Sequence, residues 1–492
     1  MDENGNYYSA LRARDPRFDG VFFVGVTSTG IYCRPICPVK TPKEANCRFF
    51  PTAQAAEKQL FRPCLRCRPE LAPGNAPVDD AHRIAHLIAQ RIEEGLIDGG
   101  AGLEDIAAQF ELSSRQIRRI VQGEMGISPI ELMQSRRLLL AKQLLTETAL
   151  PVTEIAFASG FSSLRRFNDA FRIRYRMPPT RLRKQVLSGG EEADSGTSIV
   201  QLVYRPPYDW QGVLDFLKMR LIKEIEWIDG DCYYRTIRLG KLKGWVSVRH
   251  EPSKRALMVR FTHSLTPALP ALLGRLKNLF DLSARPDLIA AQLGKDKFLR
   301  KMVARNQGLR VPGAFDGFEM ALRAVLGQQI TVKAATTLAC RFAEAFGEKI
   351  KMPYPQLSRL PPTPEKIART RGSDISRLGI IGTRARSIIA LAQALAAGTM
   401  NLDAGADPDF TINQLAALPG IGPWTAHYIA MRALRWPDAF PKDDIAVRNN
   451  LGGVTAKRAE ELSQAWRPWR SYAVLHIWQN PPPSKKRVKR KN

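Results

Sequence analysis

The run Leu418-Pro-Gly-Ile-Gly-Pro-Trp-Thr425 restricts the fold of this 492-residue chain more than any other feature. Two glycines and two prolines interrupt the helical patterns on either side, which predicts a helix, a tight hairpin and a second helix. At such a turn the backbone N–H groups of Gly420 and Gly422 can face a phosphate. The acidic pair Asp443-Asp444 follows about twenty residues later and predicts a carboxylate beside the bound group. Together these features predict chemistry on DNA.

The charge of the chain agrees with a nucleic-acid partner. Its net charge of +27 indicates that the binding partner is a polyanion, although ribosomal or membrane-surface binding would fit the charge alone equally well. The 44% hydrophobic content is that of a globular protein with room for about three or four domains. No apolar run approaches the roughly 18 residues of a membrane span, and the start Met1-Asp-Glu-Asn-Gly shows no signal segment. We therefore expect a cytoplasmic protein without a membrane partner.

Composition shifts divide the chain into five segments. Stretches rich in Gly, Pro and Ser at 71–81 and 188–198 lack apolar periodicity and are predicted linkers. Helical spacing fills the region between them. Short β-branched and aromatic runs such as Gly244–Val248 and Ala256–Phe261 follow, and helices return from Pro267 onwards. The predicted segments are 1–72, 82–187, 199–285, 286–480 and a basic tail at 481–492.

Four of the seven cysteines have the spacing of a metal site. Three residues separate Cys33 from Cys37, two separate Cys64 from Cys67, and 26 lie between the pairs. That spacing lets four thiolates converge on one Zn²⁺. A purely structural zinc is the ordinary interpretation of such a site. Cys47, which lies between the pairs, is predicted to be a packed free thiol.

Three stretches around these cysteines, Ala10–Pro16, Phe22–Cys37 and Phe61–Cys67, resemble the N-terminal domain of Ada-type alkylation-response regulators. The resemblance implies that Cys33 accepts a methyl group from a methylated DNA phosphate. A zinc-held thiolate is nucleophilic at neutral pH, and alkylating one of four changes the charge of the centre from about −2 to −1, which strengthens binding to DNA. Four basic residues could hold the backbone nearby, unless they are solvated surface charges: Arg34, Lys40, Lys43 and Arg48.

Two helix-turn-helix patterns occupy residues 82–187. Apolar positions within Leu103–Ile120 and again within Val152–Phe171 each mark two short amphipathic helices across a tight turn. Ser113-Ser114 and Ser162-Ser163 are suited to the N-caps of the second helices. The exposed faces of those helices carry side chains that bind base edges and phosphates in the major groove: Arg115, Arg118, Arg119, Arg165, Arg166, Asn168 and Arg172.

A linking helix predicted from Pro129 to Leu145 joins the two patterns. This spacing resembles the AraC-type regulator domain, which also follows the zinc domain in Ada-type proteins. The resemblance implies promoter DNA and RNA polymerase as partners. A helical bundle unrelated to DNA is the alternative.

The C-terminal half carries five motifs, Arg205–Trp210, Phe318–Gln328, Leu418–Thr425, Asp443-Asp444 and Trp466–Trp478. Through them the chain resembles AlkA-type 3-methyladenine DNA glycosylases of the helix-hairpin-helix superfamily. The resemblance implies a small antiparallel sheet domain with helices and then an all-helical domain. The expected fold class is therefore multidomain and mainly α. It combines a small α+β zinc domain, an all-α double helix-turn-helix domain, the α+β sheet domain and the all-α glycosylase domain.

The acidic pair is expected to supply the chemistry. Breaking the glycosidic C–N bond produces an oxocarbenium-like sugar, which an ionised carboxylate near the anomeric carbon stabilises. Asp443 and Asp444 precede a predicted helix at Ile445–Leu451, whose positive end favours a charged carboxylate. Adjacent helical positions point about 100° apart, so both acids cannot serve equally. The family's pattern implies that Asp444 is catalytic, and we predict that Asp443 is merely the N-cap.

An extruded base needs an aromatic pocket, and the resemblance assigns stacking roles to Trp424, Tyr428 and Trp478. Electron-rich rings attract a cationic alkylated purine by roughly 0.5–2 kcal/mol. Core packing is the alternative, and it is hardest to set aside for Tyr428. Trp466 and Trp469 are predicted to pack in the core.

Three finer expectations follow from the resemblance. Relatives that also cleave the strand carry a Schiff-base lysine where Trp424 stands, which implies a monofunctional glycosylase. Gln329 stands where the family has a leucine wedge, so the wedge is polar or is formed by Ile330. The superfamily hairpin binds a monovalent cation through backbone carbonyls, which here are those of Ala416, Leu418 and Gly420.

The sequence therefore predicts a bifunctional DNA alkylation-damage protein. It would transfer methyl from DNA methylphosphotriesters to Cys33, regulate transcription, and hydrolyse the N-glycosidic bond of alkylated purines such as 3-methyladenine. One alternative is a transcriptional activator whose glycosylase half only binds DNA. Another is a working glycosylase with a purely structural zinc.

Overall fold

The structure, a computed structural model, consists of two compact units, residues 1–92 with 97–133 and residues 93–96 with 134–492. Most of both predicted linkers, the tail 481–492, and the apolar positions Ile106 and Phe110 lie outside the residues that the structure describes. The described residues are 3–15, 18–20, 22–71, 112–186 and 196–480, together with 81, 84–85, 87–89, 91–92, 103–104 and 107.

A four-stranded sheet organises the N-terminal segment. Its elements are α1 at Glu3–Ala13, β1 at Phe23–Val26, β2 at Ile31–Cys33, β3 at Cys47–Phe50, α2 at Ala53–Lys58 and β4 at Arg62–Pro63. The strand order is β3-β1-β2-β4, and only the β2-β4 pair is parallel. A Cβ at Gly25 would lie 2.7 Å from the ring of Phe50 and 2.9 Å from that of Phe61. Glycine therefore lets both rings close over β1, beside the strand that ends at Cys33.

The first helix-turn-helix unit shows the predicted cap. Ser113 and Gln116 form a reciprocal capping box, in which each side chain binds the other's backbone N–H. Ile117 and Val121 are fully buried beneath it. The helices are α3 at Ser114–Met125 and the long helix α4 at Pro129–Glu147.

The second helix-turn-helix unit repeats this local pattern. Ser163 Oγ accepts the backbone N–H of Arg166 at 3.2 Å, and Phe167 and Phe171 are fully buried. Of the two serine pairs, Ser113 and Ser163 are therefore the N-caps. The helices are α5 at Val152–Ala158, α6 at Leu164–Tyr175 and α7 at Pro179–Val186.

An antiparallel sheet of five strands follows. Its strands are β5 at Thr197–Val203, β6 at Glu226–Asp229, β7 at Cys232–Leu239, β8 at Leu242–Glu251 and β9 at Ala256–Thr262. The helix α8 at Trp210–Lys218 lies between β5 and β6 along the chain. The strand order is β5-β9-β8-β7-β6. The two predicted runs Gly244–Val248 and Ala256–Phe261 lie inside β8 and β9, which confirms them as strands.

The end of α4, which leads into the second helix-turn-helix unit, docks this unit on the edge of the sheet. The N–H of Gln201 in β5 donates to Glu147 Oε2 at 2.8 Å. Gln143 Nε2 donates to the Gln201 carbonyl at 2.7 Å and to Glu147 Oε2 at 3.0 Å. Two side chains of α4 thus satisfy both backbone groups of one edge residue. Leu144 and Phe171 belong to the same hydrophobic core as the sheet.

Helices form the remainder of the second compact unit, from Leu269 onwards, as predicted. A two-stranded ribbon interrupts them, β10 at Glu348–Lys349 and β11 at Arg359–Leu360. The helices are α9 at Leu269–Leu279, α10 at Pro286–Leu293, α11 at Arg300–Arg305, α12 at Gly317–Leu326, α13 at Val332–Phe346, α14 at Pro364–Ala368, α15 at Gly372–Ser376, α16 at Gly382–Ala396, α17 at Pro408–Ala416, α18 at Pro423–Arg432, α19 at Ile445–Asn450, α20 at Ala456–Ser463 and α21 at Arg470–Gln479.

Candidate active site and metal centre

The hairpin between α17 and α18 depends on two glycines with different roles. Gly420 has a φ of 75°, and a Cβ there would lie 2.4 Å from Ser387 Oγ. The left-handed backbone and the close approach both require glycine. At Gly422, the N-cap of α18, a Cβ would meet no described atom within 4 Å. The uncapped helix start and this open surface leave room for a phosphate.

Gln328 ties the hairpin to the loop between α12 and α13. Its Nε2 donates to the Gly420 carbonyl at 2.9 Å and to Thr425 Oγ1 at 3.0 Å. The Leu418 carbonyl accepts the N–H of Ile421 at 3.2 Å. Two of the three carbonyls expected to bind a cation thus each accept a hydrogen bond. Each carbonyl oxygen has a second lone pair, which such an ion could use. No local pattern predicts the role of Gln328, because its partners are more than ninety positions away.

Asp444, not Asp443, caps α19. The Oδ1 of Asp444 accepts the N–H of Val447 at 2.9 Å, whereas Asp443 is exposed. The prediction that Asp443 is the N-cap is therefore wrong. A tight turn explains the exchange: the N–H of Asp444 donates to the Pro441 carbonyl at 2.8 Å, which turns the second carboxylate inward and the first towards solvent.

Two indoles bind the Asp444 carboxylate. Trp424 Nε1 donates to Oδ2 at 3.1 Å, and Trp478 Nε1 donates to Oδ1 at 3.1 Å. Only 9% of Asp444 is exposed, so these donors and the helix start replace water around its charge. The carboxylate is consequently fixed in orientation through both of its oxygens.

The three aromatic residues predicted to stack on a base lie together around this carboxylate. The rings of Trp424 and Tyr428 are nearly parallel, with centroids 5.2 Å apart and an interplanar angle of 13°. Those of Tyr428 and Trp478 are 6.1 Å apart at 56°. Tyr428 is buried, and its hydroxyl oxygen accepts a hydrogen bond from Arg432 Nη1 at 2.9 Å. Trp466 is fully buried against Phe440, as predicted for a core residue.

Gln329 occupies the tip of the loop after α12. It is exposed, and its φ of 56° lies in the left-handed region. That conformation costs a residue with a Cβ about 1–2 kcal/mol, so the loop holds this side chain outward at a local cost. Ile330 is half-buried. Gln329 is thus the more exposed of the two residues considered for the wedge.

The four predicted metal ligands converge in the N-terminal segment. The sulfur atoms of Cys33, Cys37, Cys64 and Cys67 all lie within 4.8 Å of one another, and all four residues are buried. Tetrahedral Zn²⁺ with bonds of about 2.3 Å needs sulfur separations of about 3.8 Å, so a donor set of four thiols fits this ion. Cys47 is partly exposed and outside the cluster, as predicted.

The residue next to the first ligand has a structural role. Arg34 is fully buried, and its guanidinium binds Asp19 through two nitrogens, with Nε 2.8 Å from Oδ1. Its backbone N–H donates to Cys67 Sγ at 3.4 Å. The suggestion that Arg34 holds DNA is therefore wrong. Lys40, Lys43 and Arg48 are exposed.

The predicted base-reading side chains lie on the second helix of each helix-turn-helix unit. The arginines are exposed on both helices, and Asn168 is half-buried. On α6, Arg166 Nη1 also donates to Ser162 Oγ at 3.4 Å, which holds that guanidinium near the helix start. The exposed residues are Arg115, Arg118 and Arg119 on α3 and Arg165, Arg166 and Arg172 on α6.

Four protein-family profiles match the chain. They describe the metal binding domain of Ada at 6–70, a helix-turn-helix domain at 106–185, the AlkA N-terminal domain at 199–316 and the HhH-GPD superfamily of base excision DNA repair proteins at 322–470. The fold and the sites therefore define a DNA-binding regulator joined to a base-excision glycosylase, and the four cysteines form its zinc centre.

The relatives narrow this class. A probable bifunctional transcriptional activator/DNA repair enzyme AlkA of Mycobacterium tuberculosis is 39% identical over 486 residues, which cover 97% of this chain and 96% of that protein. The chain belongs to this family of bifunctional regulator and repair proteins. DNA-3-methyladenine glycosylase 2 of Escherichia coli is 33% identical over 56% of this chain and 95% of its own length. The bifunctional transcriptional activator/DNA repair enzyme AdaA of Bacillus subtilis is 30% identical over 38% of this chain and 86% of its own length.

Within the described ranges, every helix is too short or too polar to cross a bilayer.

Proposed function

We propose that the C-terminal half hydrolyses the N-glycosidic bond of alkylated purines such as 3-methyladenine. One observation carries this proposal: the Asp444 carboxylate is buried, fixed by two indoles and a helix start, and surrounded by stacking rings. As the C1′–N bond breaks, its electron pair goes to the base and the sugar becomes cationic. The carboxylate stabilises that cation, and water then adds at C1′.

Selection of the damaged base begins with stacking. Trp424, Tyr428 and Trp478 offer electron-rich faces, which favour a cationic alkylated purine over its neutral parent by roughly 0.5–2 kcal/mol. The alkylated base is also the better leaving group, so rate adds to selectivity. In this scheme Gln329 fills the gap that the extruded nucleotide leaves in the duplex.

The same site supports a monofunctional enzyme. Strand cleavage through a Schiff base needs an amine at the reacting carbon. Trp424 occupies the hairpin position where glycosylases that also cleave the DNA strand carry lysine. Its indole instead donates to Asp444. Base release should therefore leave an abasic site with an intact strand.

The hairpin is proposed to hold the DNA backbone on the damaged strand. Gly422 leaves the start of α18 open for a phosphate, and Gly420 keeps the turn tight. A monovalent cation at the carbonyls of Ala416, Leu418 and Gly420 would strengthen this grip. A drop in affinity for an abasic duplex when potassium is replaced by tetramethylammonium at constant ionic strength would support that ion.

We infer that Cys33 accepts methyl groups from DNA methylphosphotriesters. Bound Zn²⁺ keeps the four cysteines as thiolates. The Cys33 sulfur attacks the methyl carbon, the C–O bond breaks, and its electron pair stays on the phosphate oxygen as a diester anion. Cys67 is fully buried and accepts the N–H of Arg34, which makes it a poorer nucleophile. The product is a thioether, so each protein acts once.

The regulator role is proposed to follow from that alkylation. A centre with one charge fewer repels DNA less, so the methylated protein binds its promoter more tightly. The two helix-turn-helix units would read the promoter through α3 and α6 and would present the complex to RNA polymerase in the cytoplasm. Base-edge reading is assigned to the arginines of both helices and to Asn168.

One assay tests both activities. The purified protein is incubated with duplex DNA methylated with a labelled agent, and freed bases and protein-bound methyl are scored together. We expect released 3-methyladenine and a label on Cys33, whereas Cys47→Ser, a matched cysteine outside the cluster, should accept label normally. Label without base release would favour the pure transcriptional activator. Base release without label would favour the structural zinc.

A further inference from the structure

Positive charge is concentrated behind the aromatic pocket. Arg220, Arg323 and Arg432 line one small cavity, to which both the sheet and the helices contribute. Arg432 Nη1 donates to the hydroxyl oxygen of Tyr428 at 2.9 Å. The guanidinium carbons of Arg220 and Arg432 lie 3.7 and 4.7 Å from the ring centroid of Phe216. Two of these cations therefore contact one aromatic ring.

Acidic groups in the cavity wall do not cancel this charge. Arg235 lies 2.9 Å from Glu319 and 3.9 Å from Glu226, so these two carboxylates share one arginine. Asp316, the third acid in the wall, pairs with Arg275 at 3.2 Å. Arg235 offsets one of the two glutamate carboxylates, so one negative charge remains against the three guanidiniums of Arg220, Arg323 and Arg432. The cavity wall therefore keeps an excess of about two positive charges.

Two further observations show that this charge acts inside the protein. Burial alone would raise the pKa of the Tyr428 phenol, but the charges of Arg432, Arg220 and Arg323 outweigh burial and lower that pKa. Arg323 Nη2 donates to Thr336 Oγ1 at 2.8 Å, whereas its buried Nη1 has no partner among the described residues. A buried cationic donor without a partner is costly, because no acceptor beside it offsets its charge.

The carboxylate and Arg432 are bonded to different rings of one stacked pair. Trp424 carries the bond to Asp444, Tyr428 carries the bond to Arg432, and the two rings are 5.2 Å apart. If the function proposed above is correct, a purine that stacks on Tyr428 with its sugar at Asp444 directs its far edge towards the arginines. The leaving base then sits in a field that is negative at the sugar and positive at the base.

We propose that Arg220, Arg323 and Arg432 form an electrostatic wall that drives positive charge from the leaving purine to the sugar during bond cleavage. A cationic alkylated purine takes the electron pair of the C1′–N bond and becomes neutral, while the sugar becomes cationic beside Asp444. The wall destabilises the cationic base in the bound substrate. Once the C1′–N bond has broken and the base is neutral, this repulsion is gone. It therefore raises the rate of cleavage at the expense of substrate affinity.

Arg323 is the residue to test, because its Nη1 is the unpartnered donor. We compare wild type, Arg323→Met and the charge-retaining Arg323→Lys on a duplex containing one 7-methylguanine, with Tm as a check on folding. In Arg323→Met we expect single-turnover base release to slow about tenfold and the duplex to bind more tightly, while Arg323→Lys stays within about threefold of wild type. If Arg323→Met does not fold, the same two measurements are made on Arg220→Met, whose residue lies on another element.

Three outcomes would be informative in different ways. Equal rates in the Met and Lys variants, or slower release with weaker binding, would overturn the electrostatic wall. Absence of both 7-methylguanine and 3-methyladenine release by the wild type would instead overturn the glycosylase function itself. The expected pattern of a slower step with tighter binding is one that simple loss of packing would not produce.

Discussion

Trp424 and Asp444 are joined by a hydrogen bond of 3.1 Å from the indole Nε1 to the carboxylate Oδ2. Trp424 is the second residue of α18, so the helix that begins at the hairpin also orients the acid. In the proposed function, the indole couples phosphate binding at the hairpin to the position of the charge that acts on the sugar. A small displacement of the hairpin would then move this carboxylate.

Trp478→Phe separates stacking from carboxylate orientation. The substitution keeps an aromatic face but removes the 3.1 Å bond to Asp444 Oδ1. A hydrogen bond to a charged group is worth about 1.5–3 kcal/mol, so we expect base release to slow roughly ten- to a hundredfold with little change in duplex affinity. Single-turnover kinetics and fluorescence anisotropy measure the two quantities. Trp469→Phe, which alters a packed indole away from the acid, should leave both unchanged.

The two hairpin glycines should respond differently to the same substitution. Gly420→Ala introduces a Cβ 2.4 Å from Ser387 Oγ at a left-handed φ, so we expect a clear loss of stability. Gly422→Ala meets no described atom, so Tm should hold while affinity for an abasic duplex falls, because a methyl group obstructs the phosphate. Wild-type affinity for the abasic duplex in Gly422→Ala would argue against a phosphate at Gly422.

Much of the fold could be predicted because local chemistry determined it. Ser113 and Ser163 cap their helices, the β-branched runs are strands of the sheet, and four cysteines spaced for one ion converge. Each of these depends on neighbours within a few residues or on a fixed ligand geometry.

The errors concern side-chain direction after a turn. Asp443 and Asp444 have the same chemistry, and the turn at Pro441 decides which of them points inward. Arg34 follows a ligand cysteine and looked like a surface cation, yet its partner Asp19 lies fifteen positions earlier and is reached only in the folded sheet. Periodicity contains no information about either choice.

Long-range contacts account for what the sequence did not signal. The bonds from Gln143 and Glu147 to Gln201 join segments more than fifty positions apart. The arginines behind Tyr428 come from three separate helices or turns. Such clusters become visible only when the chain is folded.

Glu147 should control the docking of the second helix-turn-helix unit. Glu147→Leu leaves the Gln201 N–H without its acceptor and should cost about 1–3 kcal/mol locally. Burial raises the pKa of Glu147, so its charge carries a desolvation cost in the folded protein; Glu147→Gln keeps an acceptor without that charge and should dock as well as wild type. Amide hydrogen exchange at Gln201 reports the difference. Unchanged protection in the Leu variant would contradict this contact.

His476 makes the C-terminal helix sensitive to acid. Burial lowers its pKa to about 4, and its Nδ1 has no partner within the described part of the chain. Because the folded pKa lies below the unfolded value of about 6.5, the stability from neutral His476 is present above pH 6.5 and is lost as pH falls towards 4. The loss amounts to about 3 kcal/mol. We expect the protection of the α21 amides, measured relative to intrinsic exchange at each pH, to fall between pH 7 and 4.5 in wild type and much less in His476→Gln.

The charge on Asp444 is the central element of the proposed function, and Asp444→Asn removes it together with one acceptor, the oxygen that binds Trp424. Asp444→Asn keeps an oxygen for the N–H of Val447 and so preserves the helix cap, whereas Asp443→Asn changes an exposed neighbour. The measurement is single-turnover release of 3-methyladenine from methylated duplex DNA. We predict that Asp444→Asn slows release at least a hundredfold, on the scale of losing one preorganised electrostatic group, while Asp443→Asn stays near the wild-type rate. Wild-type release by Asp444→Asn would contradict the account.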